Sequence, residues 1–593
     1  MKIEKLTVPI AERPKMEWGS DVVAEVLNQL DLPFISLTPG ASYRGVHDSL
    51  VNYLGNSKPE MILCLHEEHA VAVAHGYAKV TGKPMAVALH SNVGLMHATM
   101  AIFNAFCDRM PMLILGATGP LDASERRPWI DWIHTASDQA ALIRQYCKWD
   151  DQPGSISAAA NSIARADMIT RSYPCGPTYV CLDAGLQEEQ ISAEVELPNL
   201  KRHLPPSPPA PSQKDVDQVW QLLLQAKKPL ILVGRVSRTE KTWNDRVRLV
   251  ERLGACVLTD LKVGAVFPTK HPAQPAWPGS RVTAPGRDLI NQADLILSLD
   301  WVDLGGTLQT ADAGNTQIII SCSNDAALHN GWSKDHYQMP EVDLSICADP
   351  NAMVDALLAK AEKESAISRT DWPPPPAQRE PESEGKESDQ LLMSELAVEL
   401  RNALEGTKVT WTGLPLGWSR GDLDFDNPLD YLGRDGGAGV GAGPGLAVGA
   451  ALALAGSGRI PVAVLGDGDY LMGSSALWTA AHHKLPLLVV IANNRSYYND
   501  EVHQQRMAIT RGRPVENRWV GQHLRDPDPD LATIAKGHGL KGYGPIKSTE
   551  ELAGALKEAL LEVKAGNAAL IDVRVSARGY QGAPPEMSNQ GRG

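Results

Sequence analysis

Two apolar runs, IPVAVL at residues 460–465 and LLVVIA at residues 487–492, bracket a segment with helical periodicity. Short runs apolar at every position read as strands buried on both faces. Between them Leu477, Trp478 and Ala481 fall on one helix face, with Ser474 or Ser475 as candidate N-caps. A strand–helix–strand unit of this kind brings its strands together in parallel and commits this part of the chain to an α/β sheet. It also sets Gly466-Asp467-Gly468 and Asn493-Asn494 at the carboxyl ends of two strands. Open α/β sheets bind ligands at that edge.

The residues delivered there have a definite chemistry. The Asp467 carboxylate, the Asn494 amide oxygen and a backbone carbonyl near Ser496 form a hard, all-oxygen donor set. Such a set suits Mg²⁺, which takes one or two protein oxygens and completes its octahedron with phosphate and water. Gly466 and Gly468 let the backbone approach a phosphate closely. A bare GDG is also compatible with a tight strand-to-helix turn that binds nothing.

At 593 residues the chain exceeds a single core. Two proline-rich breaks, HLPPSPPAPS at 203–212 and WPPPPAQREPESEGKESDQ at 372–390, read as extended linkers. The expected organisation is three α/β domains of doubly wound parallel sheets: 1–190, 213–365 and 391–577. Linkers at 191–212 and 366–390 and a Gly/Pro-containing tail at 578–593 complete it. The net charge of −14 argues against a nucleic-acid partner. No apolar run is long enough for a membrane span, and residues 1–15 lack an apolar signal core. The eight cysteines are scattered without a CxxC pair, so buried thiols in a reducing, cytoplasmic setting are expected rather than a structural zinc.

In the first block, residues 19–30 read as a helix and 34–37 as a strand ending at Pro39-Gly40. Strands follow at 61–65, 84–89 and 112–115, with helices at 70–81, stopped by Gly82, and at 98–105. The strand ends present Glu67 and His90 on one rim. By position alone Glu67 reads as a helix N-terminal charge and His90 as a hydrogen-bonded strand end. Arg126, Arg127 and the aromatic cluster 129–134 are expected in a loop that packs an interface between subunits or, as the alternative, lines a pocket entrance. Middle-block strands are expected at 228–234, 255–259, 293–299 and 317–321. After Asn494 the segment 495–521 reads as a lid or as a surface helix and loop.

GDG followed by NN resembles the thiamine diphosphate signature, and SALWTAA followed by a proline-led strand resembles benzoylformate decarboxylase. HEEHAVAVAHGYAKVTGKPMAVALHSNVG, residues 66–94, resembles the pyrimidine-binding domain of the acetolactate synthase and benzoylformate decarboxylase family. The resemblance implies pyrimidine-binding, central and diphosphate-binding domains in that order. It implies that Asp467, the Asn494 side chain and the Ser496 carbonyl hold Mg²⁺ on the cofactor's diphosphate. Counting back from Gly76-Tyr77-Ala78, the resemblance implies that Glu67 and not Glu68 is the glutamate whose carboxyl meets the pyrimidine N1′ and favours the imino tautomer that deprotonates C2. His90 is implied to face the substrate and relay protons, with His97 ranked below it. In GGAGVGAGPGLAVG, residues 436–449, Val440 is implied to prop the thiazolium and the Ala438 carbonyl to accept from the 4′-amino group.

The chain departs from the decarboxylase at two places. Ala41, with Ser42 next, stands where that enzyme has its substrate-binding serine. DWVDLGGT at 300–307 has no histidine. Tyr497, His503 and Gln504 are candidate substrate neighbours. FAD or ADP in the central domain is expected to be absent. The expected function is decarboxylation of a 2-oxo acid, or its carboligation to an aldehyde, through a C2 ylide and an enamine. The expected assembly is a homodimer or homotetramer with active sites between subunits. Alternatives are a thiamine-dependent C–C lyase or ligase without decarboxylation, like 2-hydroxyacyl-CoA lyase or benzaldehyde lyase, and an inactive cofactor-binding paralogue acting as a structural or regulatory subunit. An unrelated Mg²⁺–phosphate protein would have no use for the Glu67 block.

Overall fold

A computed structural model describes residues 4–191, 195–314, 316–325, 339–369, 372–373, 390–418 and 424–577. The tail at 578–593 and most of the proline-rich segment at 372–390 lie outside these residues. Three parallel sheets organise the chain, as the three alternating blocks predict.

The first sheet contains β1 (Phe34–Leu37), β2 (Glu60–Leu63), β3 (Ala86–Leu89), β4 (Met112–Thr118), β5 (Trp149–Asp151) and β6 (Pro177–Asp183), in the order β2-β1-β3-β4-β6-β5. The chain leaves β1 toward β2 on one side and reaches β3 on the other, so the switch point lies between β1 and β3. The second sheet contains β7 (Pro229–Val233), β8 (Cys256–Leu258), β9 (Leu295–Leu299), β10 (Ile318–Ser323) and β11 (Leu344–Cys347), in the order β11-β10-β9-β7-β8. The third contains β12 (Val409–Gly413), β13 (Ile460–Gly466), β14 (Leu487–Asn493), β15 (Lys541–Ile546) and β16 (Ala568–Arg574), in the order β12-β13-β14-β16-β15.

Burial on both faces explains the unbroken apolar runs. In β7, Ile231 and Val233 belong to one core cluster and Leu230 and Leu232 to another, because successive side chains point to opposite faces. Helix ends follow local chemistry. Gly82 and Gly254 close their helices in the left-handed conformation. Ser155, Thr239 and Ser548 accept main-chain N–H groups at helix starts.

The structure differs from the expectations at several elements. The 98–105 helix begins seven residues earlier, as Ser91–Cys107. Residues 126–134 are not all loop, since Ile130–Ile133 is a short helix. Ser475 stands at the N-cap position of Ala476–His483 but makes no side-chain cap bond, and Ser474 ends the preceding helix. The turn directly after β13 is already the helix Asp467–Gly473, and Ala476–His483 continues from it with no side-chain cap bond. The Gly/Ala-rich segment supplies the buried helix Gly443–Leu454. All eight cysteines are free, and Cys64, Cys107, Cys147, Cys181, Cys256 and Cys322 are buried. No helix among the described residues is long and apolar enough to cross a membrane.

The chain divides into two compact units. One holds the first and second sheets together with residues 424–439, and the other holds the third sheet. Within the first unit, Tyr431 donates to the Leu261 carbonyl at 3.0 Å and Arg238 to the Leu432 carbonyl at 2.9 Å. Residues 424–439 therefore pack with the first two blocks, although the sequence places them in a single domain at 391–577.

Candidate active site

Three adjacent strands of the first sheet deliver the first group of residues. β1 ends in the Pro39-Gly40 turn and carries Ala41 and Ser42, β2 leads to Glu67, and β3 leads directly to His90. Glu67 opens the helix Glu67–Thr81, where a carboxylate is favoured by the helix dipole. Its predecessor His66 caps that helix, with Nδ1 accepting from the Glu68 amide at 3.2 Å. Glu67 is 7% exposed, and its Oε2 lies 2.9 Å from His97 Nδ1. His66 stacks on His97 with centroids 4.8 Å apart. His97, ranked below His90, is thus the histidine that touches the glutamate. The early start of the Ser91–Cys107 helix puts it there.

Gly94 explains how the two helices approach. A Cβ at Gly94 would lie 3.0 Å from Glu67 Oε1 and 3.1 Å from its Cγ. Glu68 is only partly buried, with burial raising its carboxyl above the usual range.

His90 is held from one side. Its Nδ1 lies 2.9 Å from Ser42 Oγ and 3.4 Å from the Ser42 amide. Ser42 Oγ also accepts from the Ser91 amide at 3.1 Å. Gly40 permits the close approach, since a Cβ there would overlap the His90 side chain. Ser91 has a φ of +44°, a strained value for serine at a strand-to-helix junction. His134 meets the His90 ring edge-on at 4.9 Å. Burial, then His134, push the His90 imidazole below its ordinary value; Glu67 pulls it up and Arg127 pushes it down. Ala41 is exposed at the turn, while Ser42 is buried.

The third sheet delivers the second group. Asp467 follows β13 and Asn494 follows β14, and these strands are neighbours, with Gly466 registered against Ala492. Asp467 is 4% exposed. Its Oδ1 accepts from Gly468 N at 2.9 Å and its Oδ2 from Ser496 N at 3.2 Å. Asn494 Oδ1 accepts from the same Ser496 amide at 2.9 Å, so two oxygens converge on one N–H. Burial pushes the Asp467 carboxyl up to about 6, against backbone hydrogen bonds that lower it. No lysine or arginine among the described residues pairs with it. A buried carboxylate in this condition is stabilised by a cation, and the oxygen-only donor set fits Mg²⁺.

The two asparagines separate clearly. Asn493 ends β14 and turns its amide to Asp572 Oδ1 at 2.8 Å, leaving Asn494 for the site. Arg495 has a φ of +61°, which swings the chain toward Ser496. Ser496 Oγ donates to Glu501. The Tyr497 ring packs where a Gly468 side chain would stand. His503 lies on the exposed side of the helix Tyr498–Thr510, as does Gln504.

Asp469 was not singled out in the sequence. It is partly buried, and its Oδ1 accepts from Gly441 N at 2.6 Å and Gly443 N at 3.3 Å, pinning the glycine-rich turn. The second aspartate of GDGD was the available signal. Val440, beside this turn, is half exposed, and Ala438 adopts a φ of +56°. The sequence places His134 only in the 129–134 cluster, with nothing to tie it to His90.

A buried glutamate lies on an edge of the first sheet, and an edge of the third carries an oxygen-only donor set that suits Mg²⁺ beside phosphate-tolerant glycines, donors of the kind a phosphorylated cofactor takes. Comparison with known families gives three matches in order. Residues 17–142 match the thiamine pyrophosphate enzyme N-terminal TPP binding domain, 216–357 the central domain and 412–573 the C-terminal TPP binding domain. The chain belongs to the thiamine pyrophosphate enzyme family. It is 24% identical to the acetolactate synthase large subunit of Corynebacterium glutamicum, covering 92% of this chain and 85% of that one. It is also 24% identical to the acetolactate synthase isozyme 3 large subunit of Escherichia coli, covering 94% of each. Among solved structures, the thiamine diphosphate-dependent 4-hydroxybenzoylformate decarboxylase of Rhodococcus jostii superposes with a TM-score of 0.77 at 21% identity, covering 94% of this chain and 99% of that one. The benzoylformate decarboxylase of Polynucleobacter necessarius gives 0.77 at 20% identity, with the same coverage.

Proposed function

We propose that this enzyme uses thiamine diphosphate and Mg²⁺ to decarboxylate a 2-oxo acid or to join its acyl carbon to a second carbonyl. The observation that carries the reading is the buried Asp467 carboxylate, held only by main-chain amides beside Asn494 Oδ1 at the edge of the third sheet. Asp467, Asn494 and the Ser496 carbonyl would hold the metal, and the Gly466–Gly468 turn would admit the diphosphate. When bound, the cofactor supplies a stabilised carbanion that attacks carbonyl carbon. Glu67 would hold a proton at the pyrimidine N1′, and His97 keeps the Glu67 carboxyl in place until then. His90 would serve the substrate oxygen. The Ala438 carbonyl and Val440 are the residues we assign to the 4′-amino group and the thiazolium.

We propose no flavin or ADP for the second sheet. Its ligand crevice, outside the carboxyl ends of β7 and β9, is filled by the protein itself. A Cβ at Gly234 would overlap the Asp300 backbone. Arg109 pairs with Asp300 at 2.7 Å, and Arg235 donates to the Cys107 carbonyl at 3.0 Å. A homodimer or homotetramer is the assembly this reading carries, and a reducing cytoplasm its setting.

The test is titration of the purified protein with thiamine diphosphate at fixed Mg²⁺, followed by a screen of 2-oxo acids and aldehydes for CO₂ release and new C–C bonds. Saturable, Mg²⁺-dependent uptake with turnover of a 2-oxo acid is expected. No uptake, or turnover without any need for the cofactor, would sink the proposal.

A further inference from the structure

We propose that Ser42 is a positioning residue that fixes His90 in its neutral Nε2–H tautomer, so that His90 meets the substrate oxygen as a neutral hydrogen-bond donor. This inference rests on the proposed function above and narrows it.

Protons can be counted at this corner of the first sheet. Three groups meet there: the His90 imidazole after β3, the Ser42 hydroxyl after β1, and the Ser91 amide at the start of the next helix. A backbone N–H can only donate. The Ser91 amide donates to Ser42 Oγ at 3.1 Å, and the Ser42 amide is directed at His90 Nδ1 at 3.4 Å. Nδ1 is therefore an acceptor and carries no proton. The Ser42 hydroxyl, 2.9 Å from Nδ1, then donates to it as well. Its one proton is committed, and one lone pair is occupied. The ring proton of a neutral imidazole must sit on Nε2.

The surroundings hold this arrangement rigid. Ser42 and Ser91 are buried, and the Ser42 carbonyl accepts from Gln187 Nε2 at 3.0 Å, with Gln187 itself buried. Gly40 leaves the His90 side chain no clearance for a Cβ beside it. Ser91 keeps its strained φ of +44° at the junction from which its amide donates to Ser42 Oγ.

Two consequences follow. Ser42 cannot donate to a substrate carboxylate, because its only proton is spent on His90. A carboxylate contact is thus absent at both Ala41, which has no hydroxyl, and Ser42. His90 also acts without first becoming imidazolium. Burial, His134 and Arg127 favour the neutral ring and outweigh the opposing pull of Glu67. A neutral donor preorganised against developing oxyanion charge is an effective electrostatic catalyst.

The test uses the full-length, Mg²⁺- and cofactor-loaded enzyme with a 2-oxo acid that it turns over. Ser42→Ala should lower kcat about tenfold or more with KM within about twofold. Ser42→Thr should restore it. The acid limb of the pH–rate profile should move to higher pH in Ser42→Ala, because Nδ1 loses a donor that favoured the neutral ring. In a His90→Ala background, adding Ser42→Ala should cost nothing further. A rise in KM for the 2-oxo acid alone, with aldehyde condensation spared, would make Ser42 a substrate contact and overturn the proposal. So would an undiminished cost in the His90→Ala background. If Ser42→Ala fails to fold, Ser42→Cys keeps the shape with a weak donor and serves the same comparison. ¹⁵N-histidine spectra of the cofactor-free protein read the tautomer without any turnover. They should show Nε2–H for His90, with a mixture in Ser42→Ala. That readout stands even if no 2-oxo acid proves to be a substrate, and an Nδ1–H ring in the wild type would overturn the inference.

Discussion

At the scale of single residues, the proposed function gives the Glu67 and Asp467 carboxylates opposite work. Glu67 is buried beside His97, and the proposed function has it act through its carboxyl, so removing its acidity while keeping its shape should leave binding intact. Glu67→Gln is expected to retain thiamine diphosphate by calorimetric titration and to lose about 10²-fold or more in turnover. A Gln variant with full activity would remove Glu67 from the mechanism. Asp467 instead must be ionised to hold a cation. Burial raises its carboxyl from 3.8 to about 6. Between those values the folded protein keeps a proton that the unfolded chain releases. The metal-free fold is therefore favoured by this group at low pH, and the contribution is lost as pH climbs through about 6. Mg²⁺ binds the ionised form, so its affinity should weaken as pH falls below about 6. Thermal melts of wild type and Asp467→Asn over this range should diverge in slope, and only the wild type should be stabilised by Mg²⁺ with cofactor. Parallel slopes would show that the titrating group lies elsewhere.

At the scale of elements, the site depends on how closely helices and turns approach one another. Gly94→Ala would bring a methyl to 3.0 Å from Glu67 Oε1 and force the carboxylate or the Ser91–Cys107 helix to move. We expect weaker thiamine diphosphate binding with an unchanged far-UV circular dichroism spectrum, because alanine is otherwise at home in a helix. Unaltered affinity would mean that the Glu67 carboxyl is free to shift. These contacts also mark what a sequence can carry. β13, β14 and the turn after β13 were legible because an apolar run, a GDG and an NN sit in one short stretch. The helix Glu67–Thr81 was legible from its glycine stop. The start of the Ser91–Cys107 helix was not, because serine and asparagine favour caps and Ser91 has a positive φ. That seven-residue difference hid the Glu67–His97 contact. The link from Ser42 to His90 was equally hidden, because it joins residues 48 positions apart through strand order, which no local pattern encodes. The GDGD turn did show Asp469, but its role depends on Gly441 and Gly443, which a linear reading treats as a flexible loop.

At the scale of the molecule, buried charge joins the first and second sheets. Arg109 reaches Asp300 across 191 residues of sequence, and Arg238 donates to the carbonyls of Val263 and Leu432. Lys79 pairs with Asp108 and donates to the Arg434 carbonyl. Burial lowers the values of Lys79, Arg235 and Arg238, so each cation is held in place against its own desolvation by the partners it meets. Removing one member of such a pair is worse than removing both. Arg109→Ala removes the 2.7 Å ion pair of the Asp300 carboxylate, 6% exposed, and leaves it the Ser323 hydroxyl at 2.9 Å and the attraction of Arg235. That loss should cost about 3–5 kcal/mol in the transition that unfolds this unit. Asp300→Ala added to Arg109→Ala should recover part of it, because the carboxylate that lost its ion-pair partner is gone, although Arg235 then loses its Asp300 neighbour. Guanidinium denaturation followed by tryptophan fluorescence reads the transition, since Trp301 is buried next to Asp300. Hydrogen exchange at β9 and at the end of the Ser91–Cys107 helix should accelerate together in the single variant. Additive costs in the double variant would mean that the two side chains stabilise their own domains separately, and that the crevice of the second sheet is filled without being held shut.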